Sequence, residues 1–524
     1  MTRLSSLRVD GFWLRCKALL GVLHLLIRFL PVWTLTLQNL TLSSSRLNVG
    51  DTLISPSGHF ELGIFPYPAE SGRYYLCVRY AAPIQQVAVW VANREIPLSQ
   101  QSYLELSSPN GNLQLSDPNN NVAQIPWSSN TADAGVGRAQ LLDTGNLVLV
   151  DNNGNPIWDS FKNSSITDTL LPGQYFYKIG NINLTSWLTK DDPATGNGTY
   201  TFGWGTRANM SGSILQLAWT SPKVFSVWRG GTYIPGPDDT NPHIIPDVDY
   251  VYFDATQGNL YFPSTPANIV IISGGDLVSS TTLKRLTLDA DGGLRIWQFT
   301  VGTSKTWTAE ANWVVTERGS QCFTIGTCGP FSLCNMSPFG SLDRVQCTCP
   351  YGFKPINPDD LSRGCTPIEP LSGSDLCNAS KVNLTVLNDI DMPWGGDYRN
   401  LTGAESANCQ AACLKDCKCA GAVYSKDEQY CWMKMTPLYN IGWPTVKLHG
   451  SDRTAFIKIS LYLPPSPESD QGKFKLWMIA LVVVGGLLGL GLLVACCVYI
   501  YRRENHIDGP GGEPLHPPWR GSSP

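Results

Sequence analysis

The chain has 524 residues, too many for one hydrophobic core and enough for three or four domains. Charged residues make up 15%, and 17 tryptophans with 49 glycines suit globular β-rich modules rather than long solvated helices or disorder. A formal net charge of −4 leaves no electrostatic footprint for nucleic acid, so neither RNA nor DNA is expected as a partner.

The first 36 residues read as a secretory signal: Arg3, Arg8, Arg15 and Lys17 precede an apolar run that begins at Ala18. His24 and Arg28 interrupt the run, and an uncleaved anchor is the competing reading. A repeat then organises the chain up to about residue 310. Gly111 in "NGNLQLSD" and Gly145 in "TGNLVLVD" stand 34 residues apart, as do Gly258 in "QGNLYF" and Gly292 in "DGGLRIW". Each copy is a glycine turn that opens an alternating strand, and two such pairs predict two related β-modules, residues 40–161 and 170–312. No long amphipathic helix is expected in either.

Two cysteine clusters follow. Cys322, Cys328, Cys334, Cys347, Cys349 and Cys365 fall in one module (318–366), and Cys377, Cys409, Cys413, Cys417, Cys419 and Cys431 in the next (377–460). Segments this short bury little core and depend on bridges. Cys409 and Cys413 are four apart, which places them on one face of a short helix. Spacing alone leaves fifteen pairings for each set of six. Cys16, Cys496 and Cys497 lie in the membrane-targeting segments, and Cys77 stands alone in the strand "RYYLCVRY", where an unpaired buried thiol is expected.

A proline-rich linker leads to Leu476–Tyr501, 26 uncharged residues, long enough at about 1.5 Å per residue to cross a hydrocarbon core of roughly 30 Å. Residues 502–524 form a short tail. Flanking lysines and arginines barely discriminate the orientation. Glycosylation triplets at Asn39, Asn163, Asn183, Asn197, Asn209, Asn335, Asn378, Asn383 and Asn400 all precede the span, although Pro338 weakens the one at Asn335. Together with the twelve clustered cysteines they place the N-terminal part outside the cell. Within the span, Gly485 and Gly489 form a G-x-x-x-G, and Gly491 with Ala495 repeats the spacing, a face on which two helices can approach closely; a plain anchor is the competing reading.

The stretches "GHFELGIF", "VWVANREIPL", "LLDTGNLVLVD" with "IWDSF", "SWLTKDDPATGNGTY", "CGPFSLC" and "CLKDCKCAGAVY" resemble, in order, the extracellular part of plant S-domain (G-type lectin) receptor-like kinases and S-locus glycoproteins. The resemblance implies a mainly β chain: a bulb-lectin β-prism, a second prism-like S-locus glycoprotein domain, an EGF-like module, a PAN/apple module and one transmembrane helix. It also implies the pairings Cys322–Cys334, Cys328–Cys347, Cys349–Cys365, Cys409–Cys431 and Cys413–Cys419, which leaves Cys377 with Cys417. Implied too is a single-pass, type I plasma-membrane receptor that recognises an extracellular peptide or glycan, in pollen recognition, self-incompatibility or defence. Pairing with itself or with related kinases belongs to the same expectation.

Relatives of this kind continue into a serine/threonine kinase. The 23 residues after the span hold no glycine-rich loop, strand lysine, catalytic-loop aspartate or magnesium-binding aspartate, so a kinase-less receptor is expected, with a truncated kinase gene as the competing reading. No Walker loop, HExxH or GxSxG occurs, the six histidines are scattered, and no catalytic residue, metal site or cofactor is expected. The residues before Cys322 lack the acidic pattern of calcium-binding EGF modules. Asp191–Asp192 and Asp238–Asp239 read as solvated turns.

Bulb lectins bind mannose through Q-x-D-x-N-x-V-x-Y. Aligned on "NLVLV", Asn146 and Val148 match, while Leu142, Thr144 and Val150 stand at the Gln, Asp and Tyr positions. At "NLQLS" only Asn112 remains. A polar site stripped of its hydrogen-bonding groups loses affinity and specificity, so these turns are read mainly as scaffold, with a mannose-binding lectin as the alternative function.

Overall fold

The computed structural model describes residues 36–461 apart from 38, 42–45, 120–124, 164–165, 179–182, 197, 207–212, 220–248, 264–267, 313–320, 325, 337–344, 393–395, 440 and 443–451. The signal segment up to residue 35, the span 476–501 with its glycines Gly485, Gly489 and Gly491 and with Ala495, and the tail lie outside these residues. Among the described residues no helix is long and apolar enough to cross a membrane.

Strand dominates, and the repeated turns explain why. Gly111, Gly145, Gly258 and Gly292 have φ of +72°, +80°, +63° and +78°, backbone that a Cβ disfavours. Each reverses the chain between two antiparallel strands whose first apolar pair is buried: Leu106 opposite Leu113, Leu141 opposite Leu147, Phe253 opposite Leu260 and Leu288 opposite Leu294. Alternation then sends every second side chain inward.

These hairpins build two sets of three sheets. The first set comprises a five-stranded sheet (Thr36–Leu37, Thr52–Ile54, Phe60–Pro66, Tyr74–Tyr80, Ala88–Val91), a four-stranded one (Pro156–Asp159, Leu147–Val150, Arg138–Leu141, Asn39–Thr41) and a three-stranded one (Arg46–Asn48, Tyr103–Leu106, Leu113–Ser116). Their inner faces meet in one core that holds Leu47, Leu62, Leu104, Leu115, Leu149 and Trp158. In the second set, three four-stranded sheets enclose Phe176, Phe202, Val251, Phe262, Leu286 and Ile296.

The cysteine-rich part is the least regular. Strands Leu333–Met336 and Val345–Thr348 pair with each other, and the first also pairs in parallel with Ile441–Gly442. The last module is a five-stranded sheet in the order Val382–Asn388, Arg453–Ser460, Gly421–Ser425, Tyr430–Lys434, Asp397–Thr402, against which helix Ser406–Lys415 buries Cys409 and Cys413.

Candidate functional site

In three of the four repeats the asparagine after the glycine closes a loop from within; Gly292 is followed by Gly293. The Asn146 side-chain oxygen accepts from Ser160 Oγ at 3.0 Å and from the Phe161 N–H at 3.2 Å, and its amide nitrogen faces Asp159 at 3.4 Å. Asn112 accepts from Ser128 Oγ, Ser129 Oγ and the Thr131 N–H at 3.1, 3.3 and 3.1 Å. Asn259 accepts from the Gly274 N–H at 2.6 Å. One amide thus ties each turn to main chain or side chains 14 to 19 residues further on. Val148 and Val150 are buried in the sheet. A Cβ on Gly145 would stand 2.5 Å from Leu171 Cδ1 and 3.0 Å from Phe60 Cε1, so this turn is packed where the two β-sets meet.

That meeting line is the most elaborately built part of the molecule. Buried Arg94 donates from Nε to the Pro193 carbonyl at 2.6 Å, from Nη1 to Thr185 at 2.7 Å and from Nη2 to Ser186 at 2.5 Å. Arg73 pairs with Asp192 at 2.9 Å, so Asp192 is not the solvated turn residue its sequence context suggests, whereas Asp191 is exposed. Asp238 and Asp239 lie outside the described residues. Trp307 donates from its indole N–H to the Gln85 carbonyl at 3.1 Å and stacks obliquely on Tyr80. A small cavity of about 20 Å³ lies on the line, bordered by Trp90, Gly145, Phe161, Leu171, Gln174 and Tyr175.

A second buried network fastens the cysteine-rich part. Arg295 pairs with Asp289 at 2.9 Å and Asp291 at 2.7 Å, and the Asp291 carbonyl accepts from Gln321 Nε2 and Thr327 Oγ1. The bridges are Cys322–Cys334, Cys328–Cys347, Cys349–Cys365, Cys377–Cys417, Cys409–Cys431 and Cys413–Cys419. Cys77 is a free, fully buried thiol whose pKa burial pushes up to about 12, which keeps it protonated and inert. Among the acceptor asparagines, Asn378, Asn383 and Asn400 are exposed, Asn183 and Asn335 are half-buried, Asn39 lies in a strand and Asn163 ends a short helix; Asn197 and Asn209 lie outside the described residues. Among the described residues no group of acids, histidines and cysteines is arranged to hold a metal ion. Arg94 and the Asp289–Asp291–Arg295 cluster carry no signal that composition or spacing could flag.

Two families match parts of the chain. Residues 87–189 match the family described as D-mannose binding lectin, and residues 264–357 match the S-locus glycoprotein domain. A G-type lectin S-receptor-like serine/threonine-protein kinase of Arabidopsis thaliana is 28% identical over 477 residues, covering 87% of this chain and 50% of that protein. A second Arabidopsis thaliana protein of the same description is 30% identical over 399 residues, covering 72% of this chain and 44% of that one. The chain spans about half the length of the curated relatives it matches. Among solved structures, a monomeric monocot mannose-binding lectin from Gastrodia elata matches at 21% identity with a TM-score of 0.17, covering 23% of this chain and 93% of that one.

Proposed function

Since the chain belongs with the G-type lectin S-receptor-like kinases over most of its length, we propose that its described part is a rigid recognition surface for an extracellular ligand. In this reading residues 40–161 are a bulb-lectin prism, 170–312 a second prism-like domain, 318–366 an EGF-like module and 377–460 a PAN/apple module. Residues 1–36 direct secretion, and 476–501 hold the protein in the plasma membrane with its N-terminal part outside. Partners are a peptide or glycan ligand and related receptor kinases or a second copy, in pollen recognition or defence.

One observation carries the reading: Asn112 and Asn146, the residues left of the mannose motif, spend their amides on the protein itself. This supports a reading in which the turns are scaffold and recognition belongs to other surfaces of a welded assembly. Three measurements on the expressed full chain test this. Membrane-impermeant biotin should label it on intact cells, and glycosidase should shift its mobility. Methyl α-mannoside should not bind at these turns. Mannoside binding that disappears in Thr144→Arg, an exposed position on the turn, would return the mannose-lectin reading.

A further inference from the structure

The sheet Tyr175–Tyr177, Tyr250–Phe253, Leu260–Phe262, Ile269–Ile272 has two unlike faces. Its inner face is ordinary core: Phe176, Val251, Phe253, Leu260, Phe262 and Ile271 are buried. The face turned to water should by the same alternation be polar. Instead it carries Tyr175, Tyr177, Tyr250, Tyr252 and Tyr261 with Val270, aligned by strand register, since Tyr175 lies opposite Tyr252, Tyr177 opposite Tyr250, Tyr252 opposite Tyr261 and Tyr261 opposite Val270. Tyr175 is 48% exposed, Tyr177 40% and Val270 47%. Nothing in the core requires large aromatic rings here.

Across the strands Tyr175, Tyr252 and Tyr261 form one row, and Tyr177 and Tyr250 pack beside it on the strands of Tyr175 and Tyr252. Centroids are 5.9 Å apart for Tyr177 and Tyr250, 5.4 Å for Tyr250 and Tyr175, 5.9 Å for Tyr175 and Tyr252, and 5.5 Å for Tyr252 and Tyr261. One end is held in place: Tyr252 Oη accepts from Asn268 Nδ2 at 2.6 Å, and Tyr261 Oη accepts from Asn259 Nδ2 at 2.9 Å while donating to Gln257 Oε1 at 2.5 Å. At the other end Tyr175 also lines the small cavity between the β-sets, beside Trp90 and Gln174. Part of the row is thus pre-oriented.

We propose that this tyrosine row binds a neutral, extended oligosaccharide. Successive aromatic rings offer flat apolar surface to the C–H faces of successive sugar rings, and the phenols of Tyr175, Tyr177 and Tyr250 meet hydroxyls. The row is made of neutral side chains, and Asp254 acts on Tyr252 as a nearby negative charge, so the row suits an uncharged ligand and repels phosphate groups. A proline-rich peptide also packs on aromatic side chains, but in a groove, and it brings no hydroxyls to the phenols. The proposal rests on the recognition reading above, yet fails separately from it: a chain displayed at the cell surface that binds no oligosaccharide defeats only this step.

The test uses the purified full chain in lipid nanodiscs, titrated calorimetrically with cellotetraose, mannotetraose, the N-acetylglucosamine tetramer and decaproline. At least one tetrasaccharide should bind. The pair Tyr175→Ala with Tyr252→Ala should weaken it by about tenfold or more, Tyr175→Phe, which keeps the ring, by much less, and Thr144→Arg not at all. If the double variant does not fold, Val270→Arg carries the same test, because it places a charge on the exposed face without touching the core. Binding that survives these variants overturns the proposal. So does the absence of binding by all three sugars, and decaproline binding alone reassigns the face to peptides.

Discussion

Arg94 places Nη2 2.5 Å from the carbonyl oxygen of Ser186, and with its other two nitrogens it holds the carbonyls of Pro193 and Thr185. A loop of the second β-set therefore satisfies buried carbonyls with a side chain of the first. Its neighbour Asn93 does the same work at home, accepting from the Leu76 N–H at 2.8 Å and donating to the carbonyls of Ile96 and Tyr74. The pair in "VWVANREIPL" is a two-residue device: Asn93 closes its own turn, and Arg94 fastens the next module.

Replacing Arg94 should loosen the two β-sets. Arg94→Ala leaves three buried carbonyls without a donor, an expected loss of about 3–5 kcal/mol. Arg94→Lys keeps the charge but presents a single point where a planar fork is needed, and should recover less than half of that. Thermal unfolding and protease cleavage between residues 161 and 187 read both effects. A lysine variant as stable as wild type would mean that charge, not the fork, holds the line.

The contrast between the repeat turns and Arg94 marks how far the sequence is readable. A glycine followed by alternating leucines is a local signal, and the hairpins at Gly111, Gly145, Gly258 and Gly292 follow from it. The role of each asparagine is not local, because Ser129, Thr131, Ser160 and Gly274 share no spacing with it that a period would reveal. Arg94 is harder still: its partners are main-chain carbonyls, which have no sequence identity at all. Asp192 sits in an acidic pair before proline that looks like a solvated turn, and only the approach of Arg73 from the other β-set changes that. The tyrosine row is legible in part, as the alternation of Tyr and Phe in "YFY" and "YVYF", but nothing in the sequence says that these strands share a sheet.

Asp168 should make stability depend on pH. Burial pushes its carboxyl up to about 6, with Arg94 and Arg285 pulling it back down. The unfolded chain titrates near 3.9, so between about pH 4 and 6 the folded protein still holds a proton that the unfolded chain has released. Stability from this group is therefore greatest at low pH, falls as pH rises through that window and is level above it. Relative to the non-titrating Asp168→Asn variant, wild type should lose about 2 kcal/mol between pH 4 and pH 7. Denaturant unfolding at pH 4, 5, 6 and 7 checks this, and a difference of opposite slope would show that the two arginines outweigh burial.

The cysteine-rich modules should be separable by their bridges. All six disulfides stay within 322–365 or 377–431, although strand Leu333–Met336 pairs with Ile441–Gly442. Non-reducing peptide mapping should recover no crosslink between the clusters. Replacing Cys409 and Cys431 by serine removes the tie between helix Ser406–Lys415 and strand Tyr430–Lys434, an expected cost of about 2–5 kcal/mol. The tyrosine sheet lies in another part of the chain, and its exposure to iodination should not change.

Gly145 offers the sharpest separation of scaffold from sugar site. Its φ of +80° is strained for any other residue, and an added Cβ would press on Leu171 of the second β-set and Phe60 of the first. Gly145→Ala should therefore destabilise the chain by at least about 1–3 kcal/mol, the left-handed backbone and the overpacking adding together. Leu171→Ala removes the closest obstacle, so the two changes should be non-additive in a double-mutant cycle, with Gly145→Ala costing less in the Leu171→Ala background. Additive losses would mean that the turn does not touch the second β-set. Methyl α-mannoside should leave the melting temperature of wild type and Gly145→Ala alike unmoved; a ligand-dependent rise in wild type that Gly145→Ala abolishes would instead make this turn a sugar site.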